Sequence, residues 1–188
     1  MKNKFLTIIS TTIFLFISEQ ILFAKNLNIK SSTISIDKKK NESLFKGNVI
    51  ATDLMNNILE ADEAQYNKKK EKLTTIGATT ITTSEDYKIF SSDVIFDNVK
   101  GIISSDYSSI IEDKEGNKIF VDMFNYDRKI NMFFSKGKIK VIDINNNTFN
   151  FSEIYIDEKK QKIAGSDARV FLSQNSLKIN KENNPRLF

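Results

Sequence analysis

The chain has no cysteine, no histidine and no tryptophan, and one proline in 188 residues. Without cysteine it can form no disulfide and carry no lipid on an N-terminal thiol. Without cysteine and histidine it lacks the usual zinc ligands and the usual bases of nucleophilic catalysis. The near absence of proline leaves strand edges unblocked. No sign of charge dominates: 28 basic and 24 acidic residues give a net charge of +4. The lysines fall in turns and form no single patch, so nothing in the composition demands nucleic acid.

The first residues stand apart from the rest. Lys2 and Lys4 open a run from Phe5 to Ile17 without charge, followed by Ser18-Glu19-Gln20 and Ile21-Leu22-Phe23-Ala24. A basic start, a short apolar run and a small residue read as a signal peptide over 1–24, cleaved after Ala24. The alternative is a membrane anchor, for which the run is short against the roughly 20 apolar residues of a span. Loss of Lys2, Lys4 and Glu19 leaves 26 basic and 23 acidic residues. The expected domains are a β domain over 25–180 and a linker over 181–188, with export to the periplasm.

What the chain has in place of cysteine chemistry is a repeat. "ISIDKKK", "AQYNKKK", "VIFDNVK", "FNYDRKI" and "IYIDEKK" recur every thirty residues. One apolar column reads Ile34, Ala64, Val94, Phe124, Ile154; two residues on, another reads Ile36, Tyr66, Phe96, Tyr126, Ile156. A spacing of two puts each pair on one face of a strand. Next come Asp37, Asn67, Asp97, Asp127 and Asp157, which end the strand and start a lysine-rich turn. The segments between turns are rich in Ile, Val, Phe, Tyr and Thr, which suit a pleated surface. Two strands per thirty residues predict ten or eleven strands and an all-β, antiparallel fold of stacked rungs. Gly47, Gly77 and Gly137 form a further column, broken by Tyr107. Gly165 lies two residues out of phase, so the last copy is expected to be shortened or bulged.

One Asp per turn is read as a turn former before it is read as an acid catalyst, and the turn lysines as solvated. The apolar layer is the functional candidate. Tyr66, Phe96, Phe120, Phe124, Tyr126, Phe149, Phe151 and Ile156 are expected to line an inner surface. Pattern alone leaves open whether that surface is a sealed core or a groove between two sheets. No catalytic residue, metal ligand or cofactor is assigned.

Gly47-Asn48-Val49-Ile50 and Ala61-Asp62-Glu63-Ala64-Gln65-Tyr66, before a lysine-rich turn, resemble the organic-solvent-tolerance (OstA-like) domain family. The resemblance spans about residues 31–180. It implies a partly open β-jellyroll that holds the acyl chains of lipopolysaccharide between its sheets. Partners would be lipopolysaccharide and other OstA-like jellyrolls joined by edge-strand pairing. Members of two kinds fit: a stand-alone periplasmic bridge protein, and the N-terminal domain of the outer-membrane lipopolysaccharide-assembly protein. The tail "GSDARVFLSQNSLKINKENNPRLF" resembles the second, in which an outer-membrane β-barrel and its plug lipoprotein would also be partners. Rival readings are a polysaccharide hydrolase on a parallel β-helix and a structural solenoid.

Overall fold

The structure, a computed structural model, describes residues 20–24 and 27–174. The expected signal peptide lies mostly outside the described residues, and the expected linker lies wholly outside them. The described chain has no helix. Its strands are β1 (Gln20–Ala24), β2 (Leu27–Ser31), β3 (Thr33–Asp37), β4 (Glu42–Asp53), β5 (Ile58–Asn67), β6 (Lys72–Thr82), β7 (Lys88–Ser92) and β8 (Ile95–Asp97). They continue as β9 (Ile102–Ser105), β10 (Ser109–Glu112), β11 (Lys118–Val121), β12 (Phe124–Asp127), β13 (Met132–Ile142), β14 (Thr148–Asp157), β15 (Lys162–Ser166) and β16 (Arg169–Phe171).

All pairings are antiparallel and join into one continuous sheet. That sheet is folded double. Long strands break register in the middle, β4 between Lys46 and Val49 and β13 between Lys136 and Ile139. On one side the two halves pair with different neighbours, β2 and β3 for β4 and β11 and β12 for β13. Sheet I runs β1-β2-β4-β5-β6-β7-β10-β11-β13-β14-β16, using the Val49–Asp53 half of β4. Sheet II runs β3-β4-β5-β6-β8-β9-β12-β13-β14-β15, using the Glu42–Lys46 half. Joining the halves across each bend leaves ten bent strands plus β1, the number expected from the repeat. Strand order in both sheets follows the chain, so contacts form between near neighbours of the repeat.

Three upward bends sit at Gly47, Gly77 and Gly137, with φ of 76°, 81° and 120°. Those angles lie in the left-handed region, where a Cβ is strained. The last copy is not shortened: Asp167, thirty residues after Gly137, takes the left-handed conformation with φ 54°, and Gly165 does not. A short polar side chain tolerates that conformation, so the period survives without glycine.

The turns form two rows. At the free end of sheet II, Asp37, Asn67, Asp97, Asp127 and Asp157 each accept backbone N–H bonds two or three residues on, at 2.9–3.1 Å. They are turn formers, as expected. Rung stacks on rung through Lys68 N–H to Asn41 O, Asn98 N–H to Glu71 O, Arg128 N–H to Gly101 O and Glu158 N–H to Asn131 O. At the free end of sheet I, Asp53, Asp113 and Asp143 each hold the Asn four residues on, through backbone and side chain. The oxygens of Asn57, Asn117 and Asn147 then accept N–H bonds from the next turn, at Ser84, Ile144 and Ser173.

Candidate functional site

The two sheets enclose an apolar layer built from cross-strand ladders. In sheet II one row passes through all ten strands: Ile36, Ser43, Tyr66, Leu73, Phe96, Ile103, Tyr126, Phe133, Ile156 and Ile163. In sheet I the facing row is Ile29, Ala51, Leu59, Ile81, Ile89, Ile111, Ile119, Val141, Phe149 and Val170. Residues of both rows belong to one buried core. Tyr87 of the sheet I turns packs on Phe133 of sheet II, ring centroids 6.2 Å apart. Tyr126 stacks on Phe133 at 4.4 Å.

The middle of this layer is closed and its ends are not. Tyr66, Phe96, Phe124, Tyr126 and Ile156 are buried between the sheets. Phe149 and Phe151 face the same interior and are half-buried near its C-terminal end. Beyond them Ile163 is 49% and Val170 53% exposed, and Ile36 at the other end is 55% exposed. Phe120 is a correction. Its neighbours Ile119 and Val121 point inward, so Phe120 is half-buried on the outer face of sheet I, beside Phe90 and Ile110. There it lines an open groove of about 870 Å³ with Ile110, Lys140, Arg169 and Phe171, and Phe151 borders the same groove.

The sheets are joined along one side by the bends. On the other side the two rows of turns face each other as a mouth, which among the described residues is bridged by three polar side-chain contacts. Arg128 Nη1 donates to Asp53 Oδ2 at 2.6 Å, both side chains buried. The guanidinium lies 4.0 Å from the ring centroid of Phe96, a cation–π contact. Asp53 also accepts from the backbone of Met55 and Asn57 and from the Asn57 amide, so its charge is well satisfied. Thirty residues along each row, the Thr83 hydroxyl donates to Glu158 Oε1 at 2.8 Å, and the Tyr126 hydroxyl donates to Oε2 at 2.7 Å. Asn131 Nδ2 donates to Glu85 Oε1 at 3.3 Å.

Burial pushes the Glu158 carboxyl up to about 7; the Tyr126 and Thr83 hydroxyls work against this and the nearby Glu85 charge adds to it. Burial and the Glu158 charge raise the Tyr126 phenol above its usual range. Tyr87 is raised to about 12 by burial and by Asp113 and Glu158. Burial of Asp97 opposes ionisation, but the Lys100 N–H and Lys72 outweigh it and hold the carboxyl low. The latch residues were not singled out by the sequence reading; their signal was the break in the Lys column at 38, 68, 98, 128 and 158, which reads Lys, Lys, Asn, Arg, Glu.

Among the described residues no group of three or more Asp or Glu is placed to hold a metal. No family model matches the chain, and no curated protein matches it. Among solved structures it is similar to LptH, the LptA homologous periplasmic component of the conserved lipopolysaccharide transport device from Pseudomonas aeruginosa. The identity is 14%, the match covers 78% of this chain and 94% of that one, and the TM-score is 0.32. A likeness this distant carries no argument about this chain.

Proposed function

We propose that this is a non-catalytic, exported carrier of lipopolysaccharide acyl chains, which lie between the two sheets and pass along the stack towards the outer membrane. The observation that supports it is the pair of continuous inner rows, apolar at every position but Ser43 and left uncapped at Ile163 and Val170. Such a layer gains about 0.8 kcal/mol per buried CH₂ from an acyl chain and needs no reactive group. The outermost strands, β3 and β15 in sheet II, each pair on one side among the described residues. Their free edges fit addition of a further OstA-like jellyroll. This role is common to a stand-alone bridge protein and to the first domain of an assembly protein with a barrel and plug lipoprotein. The turn Asp residues are occupied with backbone N–H groups, which disfavours the hydrolase reading.

The test is a photo-crosslinker placed at Phe149, in the inner row, and at Phe120, in the outer groove. Capture of lipopolysaccharide in cells by the first position and not the second supports the carrier. Equal capture, or none at Phe149, sinks it.

A further inference from the structure

The two rows of turns differ sharply in charge. The five sheet II turns (37–41, 67–71, 97–101, 127–131, 157–161) hold eleven basic and six acidic residues. The four sheet I turns (53–57, 83–87, 113–117, 143–147) hold one basic and six acidic. The mouth therefore has a basic lip facing an acidic lip. Among the described residues no backbone-to-backbone hydrogen bond joins the lips, whereas on the other side the chain itself runs from sheet to sheet. Small cavities lie in the seam. One of about 190 Å³ is lined by Leu54, Met55, Asn98, Gly101, Arg128 and Lys129. Another of about 200 Å³ lies between Tyr87 and Asn117 on one lip and Gln161 and Ile163 on the other. Finally, Arg128 Nε is buried and has no hydrogen-bond partner. Its Nη1 is held by Asp53 and its Nη2 donates to Asn98 Oδ1 at 3.4 Å, so Nε is the donor to spare.

We propose that this seam is the side entrance to the slot, that the basic lip receives a phosphate-bearing head group, and that Arg128 exchanges Asp53 for that phosphate when the seam opens. The proposal rests on the carrier reading and adds to it the head-group chemistry and the route. A guanidinium fork fits phosphate oxygens two at a time, while the turn lysines act as point charges around it. Exchange of one anion for another avoids leaving Arg128 unpaired. Moving Arg128 uncovers Phe96, in the inner row, to which the chains would pass. The acidic lip repels phosphate and so steers the head group to sheet II.

The chain has no cysteine, so a thiol pair can be placed across the seam cleanly. Glu85→Cys with Asn131→Cys is bridged by dibromobimane and compared with the unbridged form. The probes are pyrene-labelled phosphatidic acid and the matching uncharged diacylglycerol, followed by stopped-flow fluorescence on the whole mature chain. Bridging should slow uptake of both at least tenfold. Because Arg128→Met alone strands the buried Asp53 charge and destabilises the fold, the head-group variant is Asp53→Asn/Arg128→Met, checked for retained β signal. It should lose about tenfold in preference for phosphatidic acid over diacylglycerol, the loss expected for one charge-assisted contact. Equal uptake by bridged and unbridged forms overturns the side entrance while the carrier reading stands. An unchanged preference in the double variant overturns the role of Arg128. Failure of the unbridged form to bind either lipid overturns the carrier reading and this proposal with it.

Discussion

Glu158 makes stability fall as pH rises, against the usual trend for carboxylates. In the unfolded chain it titrates near 4.5, and burial lifts it to about 7 in the fold. Between those values the folded state keeps a proton that the unfolded state has lost, so stability drops through this window and levels off above about 7. The gap between 4.5 and about 7 corresponds to about 3 kcal/mol. Glu158 is 2% exposed, so solvent screening removes little of this. With a urea slope of about 2 kcal/mol per molar, the unfolding midpoint should fall by about 1.5 M from pH 4.5 to pH 8. Asp97, Asp143 and Asp157 are all held below 3.8, so their stabilisation is complete above that value and is lost only on further acidification. Tyr87 and Tyr126 titrate above 10 and stay protonated throughout. Glu158→Gln keeps the size of the side chain and removes the titration. Its urea midpoint should change little over pH 4.5–8, so the difference between variant and wild type isolates Glu158. A wild-type midpoint that holds or rises with pH, or an equal fall in the variant, refutes the reasoning.

Phe124→Ala should cost about 3–5 kcal/mol, because the ring is fully buried, while Phe120→Ala on the outer face should cost under about 1, both by urea unfolding. Asn117→Ala should cost about 1–2 kcal/mol, since it removes a donor to Asp113 and leaves the Ile144 N–H without its acceptor; hydrogen exchange at Ile144 should rise with it.

The repeat was legible because its causes are local. Alternation by two, an Asx residue at the strand end and a lysine turn each act within a few residues. They place Tyr66, Phe96, Phe124, Tyr126 and Ile156 inside without knowledge of the partner strand. Phe120 fails for a physical reason. On every second stroke of the chain the inward phase slips by one residue at the bend. Ile119 and Val121 face in before Asp122-Met123, and Phe124 and Tyr126 face in after it. Gly47, Gly77 and Gly137 mark the other strokes, but nothing as distinctive as glycine marks this one, so a single alternation carried across it assigns Phe120 to the wrong face. The second turn phrase, Asp53 to Asn57, Asp113 to Asn117 and Asp143 to Asn147, has the same thirty-residue period and was open to the same reading. Thr83 and Tyr87 interrupt it because that turn makes the other half of the latch. Two of the latch pairs, Asp53–Arg128 and Thr83–Glu158, are 75 residues apart, two and a half repeats, and Glu85–Asn131 is 46 apart, close to one and a half. A half-integer separation joins a turn of one sheet to a turn of the other. Which turn meets which depends on how far the two sheets are staggered, and that is set by twist summed over the whole stack. No short window of sequence holds that sum. What the sequence does hold is its imprint: in equivalent places, Arg128 stands opposite Asp53 and Glu158 opposite Thr83, a cation facing an anion and an acceptor facing a donor.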